Sequence, residues 1–159
     1  MIVYHASYTV VTNVDLKYSR KYTDFSTGFY LTKNKAQAKK WAEKIISMNK
    51  TAYINQYLLD ENKLSKYKVL KFNNYDKSWL DFICKCRNGD DDSDFDVVIG
   101  PIADDKVYET INLFFEGFID EKEAIKRLKK NEPNNQICLR NMIVINDLLE
   151  FEKGEKYNG

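Results

Sequence analysis

Apolar residues recur along this chain with two periods, and the switches between them mark out the elements. Met1–His5 reads as an opening strand and Gly28–Thr32 (GFYLT) as a second, with a polar, irregular stretch between them. Asn34 then stands in N-cap position with Gln37 three residues later, where a capping box has its amide. Ala38, Trp41, Ala42 and Ile45 follow at helical spacing and predict a helix over 35–48. Thr51–Leu59 and Tyr67–Phe72 are rich in Tyr, Val, Ile and Leu and predict two strands. Trp79, Phe82, Ile83 and Cys86 return to the helical period over 77–87. The polar stretch GDDDSDFD leads into a strand at Phe95–Ile99, which Gly100-Pro101 ends. Val107, Ile111, Phe114 and Phe115 predict a helix over 105–116, stopped by Gly117. Asp120 with Glu123 caps another over 121–130, and Pro133 closes that region. Gln136–Arg140 and Met142–Asn146 read as the last strands.

Strands and helices alternate irregularly, and no G-x-G-x-x-G follows a strand. A doubly wound nucleotide fold is therefore disfavoured, and an α+β domain with mostly antiparallel sheet is expected. No repeat or linker divides the chain, so residues 1–152 are read as one domain and 153–159 as a frayed tail.

Composition narrows the function classes. With 159 residues, 43% hydrophobic and 31% charged, the chain can bury a core of ordinary globular kind. No run of apolar residues is long enough to span a membrane and no signal peptide opens the sequence, so a cytoplasmic protein is expected. The 25 basic residues nearly cancel the 24 acidic ones, which gives no overall attraction to nucleic acid. Two lysine clusters, Lys33 to Lys44 and Lys122 to Lys130, read as solvated helix faces. Cys84, Cys86 and Cys138 contain no C-x-x-C and His5 is the sole histidine, so a zinc site would lack ligands. Asp90, Asp92 and Asp94 have the first spacings of a calcium loop, but Phe95 and Pro101 fall where it needs glycine and glutamate.

The candidate chemistry is a constellation spread along the chain: His5-Ala6-Ser7 at the end of the first strand, Gly28–Thr32, and Asn134-Asn135-Gln136 entering a late strand. Each residue has an ordinary alternative. A lone histidine at a strand end is often structural, Tyr30 is one of eleven tyrosines, and Gln136 alone is a strand-edge amide. Their order resembles the ADP-ribosyltransferase superfamily in its His-Tyr-Glu branch, which includes the poly-ADP-ribose polymerases. The chain resembles more closely a family of small bacterial ADP-ribosyltransferase-like proteins, through four blocks: YHAS at 4–7, SR…DF..GFYLT at 19–32, DVVIGPIADD at 96–105 and PNNQIC at 133–138.

The resemblance implies a fold of two packed, mostly antiparallel sheets with flanking helices, and NAD as substrate. His5 would bond the adenosine-side ribose hydroxyl. The Ala6 backbone would pair with the nicotinamide carboxamide, the Ser7 hydroxyl would assist, and Tyr30 would stack on the nicotinamide ring. Gln136 stands where the family's catalytic Glu belongs, and Ala6 replaces a Gly of which only the backbone is used. Breaking the nicotinamide–ribose bond builds positive charge on the sugar, which a carboxylate stabilises and an amide does not. Asp104 and Asp105 are the candidate compensators, with an N-cap as the alternative role for Asp104. Arg20, in the same loop as Asp24, would reach the NAD pyrophosphate unless it forms a surface ion pair, and Asn134 would select the target. The implied activity is mono-ADP-ribosylation of a protein or nucleic acid, in the setting of a toxin with its antitoxin or of phage defence. An NAD-binding interaction module and an NAD glycohydrolase share the same residues.

Overall fold

The computed structural model describes residues 1–159. In chain order its elements are β1 (Ile2–Ser7), β2 (Phe29–Leu31), α1 (Lys35–Ser47), β3 (Ala52–Leu59), β4 (Val69–Lys71), α2 (Lys77–Asn88), β5 (Val97–Pro101), α3 (Asp105–Phe115), α4 (Glu121–Leu128), β6 (Asn135–Leu139), α5 (Met142–Leu148) and β7 (Leu149–Tyr157), with short 3-10 turns at Leu16–Tyr18 and Glu61–Lys66. The architecture is α+β. One sheet has the order β1-β3-β7 and the other β2-β6-β5-β4. Every pairing is antiparallel except β4 with β5.

Helix starts follow local chemistry. Asn34, Asp76, Asp104, Asp120 and Asn141 each accept a backbone N–H of the first turn they precede. Such a cap is worth roughly 1 kcal/mol. The capping box expected at Asn34 is only half made. Asn34 Oδ1 takes Ala36 N–H at 3.0 Å, but Gln37 sends its Oε1 away from the cap to the Asn134 amide at 2.8 Å.

Two expectations are corrected at the C-terminal end. Met142–Asn146 is not a strand but most of α5. Its β-branched residues suit a strand, yet Asn141 caps a helical turn and the helix turns Val144, Ile145 and Leu148 together into the core between the sheets. Residues 153–157 do not fray as expected, because Leu149–Tyr157 pairs along the whole of β3. The ladder is held by backbone groups, so the polar side chains that suggested fraying do not oppose it. Gly154 sits where a Cβ would come within 2.6 Å of Val10 and 2.9 Å of Asn55, a close approach that only glycine allows.

Three apolar clusters hold the layers. Val3, Tyr57 and Leu59 of one sheet meet Phe29, Leu31, Val97, Ile137 and Leu139 of the other, with α5 closing the end. The opposite face of the second sheet, through Val98 and Cys138, packs on Trp79, Leu80 and Ile83 of α2, on α3 and α4, and on Phe25. A small third cluster seats Ala38 and Ala42 of α1 on Ala52 and Ile54 of β3. Each large buried apolar side chain contributes about 1.5–3 kcal/mol, so these faces fix the register of every strand they include. No helix is long and apolar enough to cross a membrane.

Candidate functional site

Backbone hydrogen bonds join the two sheets at a single bridge. Tyr4 and Thr32 exchange both backbone hydrogen bonds, at 2.8 and 2.9 Å. Backbone groups in a strand alternate sides, so those of Ala6 point the same way as those of Tyr4, toward β2. The next rung would pair Ala6 with Tyr30, and it is not formed. The Tyr30 carbonyl instead accepts from His5 Nδ1 at 2.8 Å. The imidazole thus holds the rung open, and the N–H and C=O of Ala6 face the gap.

That bond also sets the state of His5. A carbonyl can only accept, so Nδ1 carries the hydrogen and Nε2 is left as an acceptor. Burial against Phe29, with ring centroids 4.3 Å apart, pushes the His5 pKa down to about 4, and the Tyr30 carbonyl offsets only part of this. The ring is neutral at physiological pH, and its Nε2 has no protein partner while remaining reachable by solvent.

Ser7 is less free than expected. Its hydroxyl donates to Thr9 O at 2.5 Å and accepts from Asn55 Nδ2 at 3.0 Å. Fully buried Asn55 also takes Val11 N–H, so this network shapes the chain leaving β1.

Tyr30 is committed at both ends. Its ring lies against Phe25 at 6.4 Å and 16°. Its hydroxyl donates to Ser26 O at 2.6 Å, accepts Phe25 N–H at 2.9 Å and meets Thr23 Oγ1 at 2.9 Å. Desolvation raises the phenol pKa strongly, so it stays protonated. The loop clasped in this way is strained, since Tyr22 and Ser26 hold φ of 58° and 65° without being glycine. Between them it presents Asp24.

Gln136 sits on β6 two residues from Cys138, the partner of Tyr30, so it shares a face with Tyr30. Its side chain is buried, and its Nε2 donates to Asp24 Oδ2 at 3.2 Å. Asp24 also takes the Ala103 N–H at 3.4 Å. Its other oxygen takes two bonds from Arg87, Nη2 at 2.6 Å and Nε at 3.1 Å. The Arg87 guanidinium lies 4.2 Å from the centre of the Tyr108 ring, and its Nη1 is buried without a partner. No hydrogen bond within the chain uses Gln136 Oε1, which remains reachable by solvent.

The other candidates lie elsewhere. Asp104 is exposed and spends its carboxylate on Val107 N–H at 3.0 Å as the cap of α3, while Asp105 pairs with Lys44 at 2.7 Å. The carboxylate brought to Gln136 is Asp24. Arg20 is exposed and makes no ion pair, so the arginine beside Asp24 is Arg87 and not its sequence neighbour. Asn134 is tied to Gln37 of α1. Arg87 and Tyr108 had no sequence signal, because Arg87 meets Asp24 across 63 residues and reads locally as the solvated end of a helix. Burial pushes Cys86 and Cys138 up to about 12, which removes both as thiolate nucleophiles at neutral pH.

A second polar centre lies across the 88–96 loop. A hollow of about 350 Å³ is lined by Ser26, Asp91, Ser93, Asp96, Arg140 and Asn141 among others. Asp91 takes the N–H and hydroxyl of Ser93 and the Arg140 guanidinium, while Arg140 Nη1 reaches Ser93 Oγ at 2.9 Å. Asp94 pairs with Lys68.

No curated protein and no solved structure matches the chain. A family model described as "Protein of unknown function (DUF3990)" matches residues 1–151, nearly the whole sequence, and the chain belongs to that family.

Proposed function

We propose that this chain binds NAD in the opened rung between β1 and β2 and transfers ADP-ribose to a macromolecular acceptor. The observation that carries the reading is the rung itself. His5 occupies the Tyr30 carbonyl, so the donor and acceptor of Ala6 face one gap in the arrangement a carboxamide can satisfy. The unpartnered His5 Nε2 and Gln136 Oε1 are both acceptors, and so suit a ligand that offers hydroxyl donors, as a ribose does. Exposed, unpaired Arg20 is available to a phosphate.

In the transfer, the bond between nicotinamide nitrogen and ribose C1′ breaks. Its electron pair leaves on the nicotinamide, which becomes neutral, while the acceptor's nucleophilic atom bonds C1′ and gives up its proton. Ala6 would hold the leaving group by its carboxamide, and His5 and Gln136 would fix ribose hydroxyls. Tyr30 would act through the loop it clasps, which holds Asp24 against Gln136, and Asp24 would supply the negative charge that favours the developing positive charge on the sugar. A neutral side chain at 136 favours a second reading, an NAD-binding interaction module without turnover.

The test is incubation of the purified chain with adenylate-labelled NAD and bacterial lysate, followed by separate protein and nucleic-acid digestion. Label retained in either fraction is the expected result and names the acceptor class. Nicotinamide release without label would make the chain a glycohydrolase. Binding without release would leave the interaction module, and the absence of binding would end the NAD reading.

A further inference from the structure

The position at which the family resemblance fails, Gln136, is also the position that touches a buried ion pair. Asp24 can only accept hydrogen bonds, and it receives them from Arg87 on one oxygen and from Gln136 Nε2 and the Ala103 N–H on the other. An amide that gives its nitrogen to one neighbour must turn its oxygen the other way. Arg87 is held in turn by the Tyr108 ring, and both the Asp24 and Arg87 side chains are less than one-fifth exposed.

We propose that Arg87, Asp24 and Gln136 form a polarity relay. Asp24 is a positioning residue that turns Gln136 Oε1 away from the ion pair toward solvent, and it carries the single negative charge that this pair of side chains holds. The relay explains the glutamine. A glutamate at 136 would set a second carboxylate against Asp24 at about the 3.2 Å now spanned by the amide bond, and two carboxylates so close do not both ionise. The relay also has one compensated inverse. In the double variant Asp24→Asn with Gln136→Glu, the new asparagine accepts from Arg87 through its oxygen and donates through its nitrogen to the new carboxylate. Net charge is kept and one hydrogen bond changes direction, at the loss only of the long Ala103 N–H bond of 3.4 Å, which an amide nitrogen cannot accept. Asp24→Asn alone sets two donors against each other, so the Gln136 amide turns over and loses its outward acceptor.

The relay is independent of the ligand; only its consequence for NAD rests on the function proposed above. The experiment is a double-mutant cycle on the full chain, read by melting midpoint and by NAD calorimetry. Each single variant is expected to lower the midpoint by roughly 5 °C, and the double variant to return to within about 2 °C of wild type. NAD affinity is expected to fall at least tenfold in Asp24→Asn and to recover in the double variant. Losses that simply add in the double variant would overturn the relay. Coupled midpoints with no NAD binding by wild type would keep the relay and end the NAD reading. If a single variant does not fold, the wild-type protein decides by NMR. One Gln136 side-chain amide proton should exchange slowly with solvent, and equally fast exchange of both would overturn the proposal.

Discussion

The chain buries two Asp–Arg pairs, and they are finished to different degrees. Asp91 and Arg140 close the 88–96 loop onto the end of β6, and their hydrogen bonds are shared out among Ser93 and each other. Asp24 and Arg87 join another polar loop to α2, but leave Arg87 Nη1 unpartnered and pass a carboxylate oxygen to Gln136. The Asp24 loop also holds two non-glycine residues at positive φ, whereas in the 88–96 loop positive φ falls on Gly89. Desolvation raises the pKa of Asp91, yet the Ser93 hydrogen bonds and Arg140 outweigh it and leave the group below the usual carboxylate range. One chemical pair therefore serves two ends. Where no buried atom lacks a partner the pair staples a loop; where strain and an unmade bond persist beside open acceptors it marks a candidate site.

The comparison can be broken at its strongest point first. Arg140→Ala would bury the Asp91 charge without a counterion and should cost about 3–5 kcal/mol, read as a large fall in the urea midpoint. Arg87→Ala should cost about half as much, because Asp24 keeps the Ala103 and Gln136 bonds, but it should reduce NAD turnover more than Arg140→Ala does. Equal stability losses with equal turnover would erase the distinction between staple and site. Next in size is Gly28→Ala, where a Cβ would overlap Cys138 Sγ and come within 2.9 Å of Leu139 O. Overpacking of this kind costs about 1–3 kcal/mol, measured by equilibrium denaturation, and it would show that the Asp24 loop depends on its closure against β6.

Tyr30→Phe keeps the ring and removes the hydroxyl that clasps residues 23–26. It should cost about 1–2 kcal/mol of stability and slow NAD turnover at least tenfold, about 1.4 kcal/mol in the barrier. Undiminished turnover in this variant would mean that the clasp is structural only. The smallest effect concerns His5. Its folded pKa of about 4 lies below the ordinary 6.5, so the unfolded chain binds this proton more readily. The stability that His5 contributes is complete above about pH 6.5 and is lost as pH falls from there toward 4. A shallower fall of the urea midpoint over that window in His5→Gln than in wild type is the expected result.

How much of this could be read from the sequence depended on how local the cause was. Asn34, Asp104 and Asp120 cap the helices they were expected to precede, since a cap needs only its own first turn. Ala38 and Ala42, or Trp79, Ile83 and Cys86, bury one helical face because the period alone selects it. The strand expected at 95–99 was found by its apolar run but lies at 97–101, where Gly100 and Pro101 pair with β6 rather than end it, and β7 was missed, because KGEKY carries little apolar signal and is held by backbone bonds to β3. Met142–Leu148 failed for the opposite reason, since β-branched propensity yielded to the packing of Val144, Ile145 and Leu148. Within the site, the strand ends bearing His5, Tyr30 and Gln136 were legible as motifs. The carboxylate at Gln136 was sought at Asp104 and Asp105, and the pairing of Asp24 with Arg87 crosses most of the fold.

The sequence by itself determined the periods, the caps, the scarcity of metal ligands and the positions of the candidate residues, because each follows from neighbours within a few residues along the chain. Only the tertiary structure decided that His5 opens a rung between two sheets, that Tyr30 clasps a loop through its hydroxyl and that Arg87 turns Asp24 toward Gln136. Those relations join groups far apart in sequence, and their geometry exists only once the buried faces have set the register of the strands that carry them.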